Sequence, residues 1–85
     1  MALFFSSWCP FCRSFKIIFE RYAYEREIER FILVRIDDYD NVIWNKFDVK
    51  NVPTVILFEK EKIIKRLDGS FGRGLTEQQF IEFLE

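Results

Sequence analysis

Cys9 and Cys12 are the whole thiol complement of an 85-residue chain, and they stand three residues apart in Trp8-Cys9-Pro10-Phe11-Cys12. That spacing lets two sulfurs close a small disulfide ring. A thiol reacts as its thiolate. Cys9 falls at the start of an amphipathic stretch, where the unpaired N–H groups and dipole of a helix N-terminus favour negative charge. Arg13 adds a supporting cation. Cys9 is therefore expected to be the attacking sulfur. Cys12, one turn further in on the side facing a sheet, is placed to attack a mixed disulfide on Cys9 and release the product. Two other readings stand beside the redox one: a pair of inert buried cysteines, or half of a thiolate zinc or iron–sulfur site. Structural zinc takes four ligands, and the chain offers two thiolates and no histidine. A metal would thus need a dimer, or ligands from a partner such as glutathione. The expectation is a redox pair with no metal and no organic cofactor.

The elements that must position this pair are legible in the hydrophobic pattern. Ala2 to Phe5 is an apolar run that fits a short buried strand. Pro10 suits the first helical position, where its missing N–H has no partner to lose. Phe11, Phe15, Ile18, Phe19, Tyr22 and Ala23 then recur at three- and four-residue spacing, so a helix should run from Pro10 and end before Phe31. Phe31 to Ile36 reads as a second buried-type strand, stopped by Asp37-Asp38. Asp40 or Asn41 is a candidate cap for a short helix carrying Val42, Ile43 and Phe47. Thr54 to Phe58 and Lys62 to Leu67 are strands separated only by Glu59-Lys60-Glu61, an antiparallel hairpin. Thr76 and Gln79 form a capping box for a last helix facing inward with Phe80, Ile81 and Leu84. The order β-α-β-α-β-β-α predicts an α/β fold with a mixed four-stranded sheet and helices on both faces.

Composition narrows the function. Thirteen basic against 14 acidic residues, a net charge of −1, lack the basic surplus of a nucleic-acid or anionic-membrane surface. No segment approaches the ~18 apolar residues of a membrane span. The residues before Trp8 are too few for a signal peptide and have no basic lead. These features favour a cytoplasmic monomer with no nucleic-acid or membrane partner. Eleven phenylalanines supply the dense core that so short a chain needs.

Trp8-Cys9-x-x-Cys12 behind a strand and Val52-Pro53-Thr54 ahead of another resemble the thioredoxin superfamily, in the family's order and over nearly the whole chain. The resemblance implies a minimal thioredoxin-like fold, one domain over residues 1–85. It also implies that Pro53 is cis and lies against the cysteines, and that the Val52 backbone pairs with an extended substrate segment. Asp37 and Gly69 match family positions as well, and the loop of Gly69 would be a third wall of a substrate groove. All three glycines, Gly69, Gly72 and Gly74, fall in that loop, either as a mobile substrate contact or as a plain surface connection. The expected substrate-contacting set is Trp8, Pro10, Phe11, Val52, Pro53, Thr54 and Gly69. Phe11 reads equally as core or as an apolar platform beside the sulfurs.

The resemblance also has departures. Thioredoxins proper begin with an extra strand and helix that this sequence does not show. Size, element order and Pro10 resemble a glutaredoxin, whereas Trp8 and Val52-Pro53-Thr54 resemble a thioredoxin. The double-glycine-plus-acid segment of glutaredoxins is poorly matched by Asp68-Gly69-Ser70. The buried aspartate that helps thioredoxins move the proton of the second thiol is Leu3 here, and its companion lysine is Leu33. Deprotonation of Cys12 then falls to water, to Cys9 or to a peripheral carboxylate such as Asp68. The resemblance implies a thiol–disulfide oxidoreductase that reduces or exchanges protein disulfides, with protein substrates and a reductase as partners. A glutathione-dependent glutaredoxin, or a non-enzymatic binding or metal-sharing module, is the alternative.

Overall fold

Ala2, Leu3 and Phe4 are each at most 2% exposed, because the strand they form lies between two others and has a hydrophobic layer on each face. This strand, β1 (Ala2–Phe5), is followed by α1 (Pro10–Glu25), β2 (Ile32–Arg35), α2 (Ile43–Lys46), β3 (Thr54–Glu59), β4 (Lys62–Asp68) and α3 (Glu77–Leu84) in a computed structural model that describes residues 1–28 and 30–85. The sheet order is β2-β1-β3-β4. β1 runs parallel to β2 and antiparallel to β3, and β3 and β4 form an antiparallel hairpin. The sheet is thus mixed, as the element order requires.

Side chains alternate across a strand, and β1 shows what that does. Ala2 and Phe4 enter one core with Ile36, Trp44, Val49, Val52 and both cysteines. Leu3 enters the opposite core with Phe15 and Phe19 of α1, Val55 of β3 and Phe80 of α3. Helices α1 and α3 therefore cover one face, and α2 with its flanking loops covers the other. Phe15 and Phe80 meet edge to face, with ring centroids 5.3 Å apart.

Two local features depart from the sequence expectation. The second strand is shorter than Phe31 to Ile36, and it is an edge rather than a buried strand: Ile32 is 58% exposed. An apolar run alone does not reveal how many neighbours a strand has, and β2 pairs only with β1. Neither Asp40 nor Asn41 is the N-cap of α2. Val42 takes that position, and Asn41 Oδ1 instead accepts from Ile43 N at 2.9 Å. The β3–β4 turn uses Lys60 and Glu61, both at positive φ, the conformation a tight two-residue hairpin needs. The capping box of α3 forms as expected, Thr76 Oγ1 accepting from Gln79 N at 3.1 Å and Gln79 Oε1 from Thr76 N at 2.9 Å.

Candidate functional site

Parallel pairing of β1 and β2 brings Phe5 beside Arg35, so the loops leaving both strands lie side by side. Ile36 N extends the pairing to Phe5 O at 2.8 Å. One residue further, Ser7 donates from its backbone N (2.7 Å) and from its hydroxyl (2.6 Å) to the two carboxylate oxygens of Asp37. Trp8 Nε1 donates to Asp37 O at 2.9 Å. The chain entering the cysteine motif is thereby tied to the end of β2. The Ser7 hydroxyl first, then the Ser7 N–H, hold the Asp37 carboxyl below its ordinary range, with Arg35 (3.6 Å) adding to the effect.

Cys9 is the N-cap residue of α1, in extended conformation (φ −94°, ψ 118°), with its side chain making no capping bond. Its carbonyl starts the helix, accepting from Cys12 N (3.1 Å) and Arg13 N (3.3 Å). The sulfur is left free of helix duty, and Pro10 occupies the first turn as expected. Both cysteines are free thiols. Cys9 is 5% exposed and Cys12 is fully buried. Cys9 Sγ stands 3.8 Å from Val52 O, in donor geometry. Burial pushes the Cys12 thiol up from 9.0 to about 12; the neighbouring Cys9 sulfur raises it too, while the Ser6 N–H opposes the shift.

The Val52–Pro53 peptide is cis. Pro53, Thr54 and Gly69 are buried. The Thr54 hydroxyl is spent on Asn51 O at 2.6 Å. A Cβ on Gly69 would stand 2.3 Å from Pro53 O, so only glycine lets β4 end against this proline. Beyond it, Ser70 and Gly74 exchange both backbone hydrogen bonds (3.0 and 2.9 Å) and hold Phe71 out at the tip, 92% exposed. Gly74 has φ +69°, and an added Cβ would stand 2.5 Å from Phe11 Cβ.

A cavity of about 310 Å³ opens over Cys9. Of the residues expected to contact substrate, Trp8, Pro10, Phe11 and Val52 line it; Pro53, Thr54 and Gly69 do not, lying buried behind them. Tyr39, Trp44, Lys50 and Phe71 line it as well, and sequence reasoning missed all four. Trp8, Tyr39 and Trp44 form an aromatic series with centroids 5.6 and 5.1 Å apart, which the aromatic spacing after Asp37-Asp38 could have suggested. Arg13 lines a different cavity, behind Cys12. Asp68 is ion-paired with Arg66 at 2.8 Å and lines neither cavity. Among the described residues, no group of three or more acidic or cysteine side chains could hold a metal ion, and no helix is long and apolar enough to cross a membrane.

Comparison with known proteins agrees with this geometry. The thioredoxin family model matches residues 1–84. The chain belongs to the thioredoxin family. It is 30% identical to the thioredoxin of Mycoplasmoides gallisepticum over 66 residues, 78% of this chain and 65% of that protein. It is 27% identical to glutaredoxin-3 of Bos taurus over 88% of this chain but 22% of that protein. It therefore spans less than two thirds of either relative. The structure of malaria parasite thioredoxin-2, described as a component of the protein secretion machinery, superposes with a TM-score of 0.71 at 24% identity, covering 98% of this chain and 77% of that one. Membership of the thioredoxin family supports a thiol–disulfide oxidoreductase role in general terms.

Proposed function

We propose that this chain exchanges disulfides of protein substrates through a Cys9–Cys12 dithiol cycle. The observation that carries the reading is the inequality of the two sulfurs: Cys9 stands at the cavity beside the Val52 carbonyl, and Cys12 is fully buried behind it. Cys9 thiolate attacks one sulfur of a substrate disulfide held along Val52, forming a mixed disulfide; the other substrate sulfur leaves with the bonding pair and takes a proton. Cys12 then attacks Cys9, the mixed disulfide breaks, and the second substrate thiol departs. Two electrons pass to the substrate, and a reductase restores the dithiol. The aromatic walls of the cavity suit an apolar segment flanking the substrate cysteine. Tyr39, Trp44 and Phe71 join Trp8 and Phe11 in this role, and Pro53 and Gly69 act by shaping the backbone beneath it. A reducing compartment such as the cytoplasm suits a protein that works from its dithiol form.

The reading is tested by incubating the reduced protein with a disulfide-bonded polypeptide such as insulin. Reduction is expected, with complete loss in Cys9→Ser and a trapped mixed disulfide in Cys12→Ser. Limited alkylation should modify Cys9 before Cys12. Equal labelling of the two sulfurs, or Cys12 first, overturns the assignment. The glutaredoxin-3 similarity favours one second reading, a glutathione-dependent monothiol cycle; full activity of Cys12→Ser with glutathione would establish it instead.

A further inference from the structure

Ser6 stands where β1 leaves the sheet, fully buried, and its hydroxyl has no hydrogen-bond partner. Buried polar groups are satisfied in the great majority of cases, and an exception calls for a reason. Ser6 and Cys12 line the same cavity of about 250 Å³, on the side of the cysteine pair away from the substrate groove. The charged side chains facing that cavity are Arg13, Lys16 and Arg35. Among the described residues no carboxylate lines it, and Asp37 is engaged by Ser7 and Arg35. Leu3, at the position where a carboxylate could have assisted, is packed in the opposite apolar core.

We propose that the Ser6 hydroxyl is the hydrogen-bond donor that stabilises Cys12 as a thiolate while the mixed disulfide is resolved. The inference rests on the dithiol cycle above and adds to it a hydrogen-bond donor for the buried sulfur, beside the cations that face the same cavity. A neutral thiol is a weak acceptor, so the hydroxyl has little to gain in the dithiol state. A thiolate is a strong acceptor, and a hydroxyl hydrogen rotates to suit it. The Ser6 N–H already acts on Cys12 in the direction of the charged form, against its burial. In the step itself, the Cys12 proton passes to solvent through the rear cavity. Cys12 Sγ bonds to Cys9 Sγ, the Cys9–substrate S–S bond breaks, and the substrate thiolate leaves with the electron pair and is protonated by solvent.

Ser6→Ala removes the donor without adding volume, so the variant should fold with a urea midpoint equal to or above the parent's. Removing one hydrogen bond to a charged sulfur should move the alkylation profile of Cys12, read in a Cys9→Ser background, to higher pH by about one to two units. Thiolate fraction falls tenfold per unit, while nucleophilicity rises with a Brønsted slope near 0.4–0.5. The net effect is resolution slowed by about three- to tenfold at neutral pH. Stopped-flow reaction with dithiobis(nitrobenzoate) reads both steps: a first nitrothiobenzoate is released by Cys9, a second by Cys12. The expected result is an unchanged first phase and a slowed second phase in Ser6→Ala. An unchanged second phase, an unchanged Cys12 pH profile, or equal slowing of both phases overturns the proposal. Absence of the first phase in the parent protein would instead overturn the dithiol cycle itself.

Discussion

Alkali should destabilise the reduced protein through Cys12, by an amount the structure sets. An unfolded thiol ionises near pH 9, whereas burial holds the folded Cys12 thiol neutral up to about pH 12. An acid whose folded pKa is raised contributes its full stability below the unfolded pKa and loses it between the unfolded and folded values, because only the unfolded chain gains from ionising. The window is therefore about pH 9 to 12. At pH 11 the unfolded thiol lies two units past its midpoint and the folded one is still protonated, which at about 1.4 kcal/mol per unit is a loss of about 2–3 kcal/mol relative to pH 8. The measurement is urea unfolding at pH 8 and pH 11 with reductant present, for the parent and for Cys12→Ala. Lysines and tyrosines are common to both, so the difference reports Cys12 together with its coupling to Cys9. The cavity left by Cys12→Ala costs the same at either pH. The stability advantage of the parent should therefore shrink by about 2–3 kcal/mol, a relative midpoint change of about 2 M urea for a chain of this size. An advantage that stays constant across these pH values would show that Cys12 is not desolvated in the folded state, and the division of labour between the two sulfurs would lose its basis.

Ser7→Ala should let the Asp37 carboxyl rise toward its ordinary range, seen by carbon NMR titration. Because a depressed carboxyl stabilises the fold above its unfolded pKa and ceases to as pH falls through the folded one, the parent's stability advantage over Ser7→Ala should be full at neutral pH and shrink on acidification; an unchanged Asp37 titration contradicts this. Gly69→Ala forces a Cβ to within 2.3 Å of Pro53 O, backbone against side chain with no flexible end to yield. A cost of about 1–3 kcal/mol is expected, a fall of several degrees in melting temperature together with slower disulfide exchange as the Val52–Pro53 edge shifts; parent-like stability and rate would refute the close packing.

The chain's own order settles whatever depends on neighbours a few residues away. Cys9, Pro10 and Cys12 share one helix start, so their relation is set by helical geometry. Thr76 and Gln79 close their capping box across three residues, and Lys60 and Glu61 turn the hairpin between two adjacent runs. Alternation along Ala2 to Phe5, all apolar, already required a strand buried on both faces. These local relations, with the proline ahead of β3, were enough for the fold class and for the cysteine pair.

Tertiary structure alone decided the surroundings of that pair. Ser7 meets Asp37 across 30 positions only because β1 and β2 pair in parallel with Phe5 opposite Arg35. Tyr39 with Trp44, and Phe71, reach the groove from two segments far apart in the chain, and only the fold brings them together. Ile32 looked like core until sheet order left β2 at an edge. Ser6 is an ordinary serine in the sequence; burial without a partner, on the same cavity as the sulfur that the proposed cycle ionises, is what gives it meaning. Covalent order places atoms that are close along the chain, whereas desolvation depends on everything packed around a group. The sequence therefore named the two sulfurs and their order, and only the packed fold set how deeply each is desolvated.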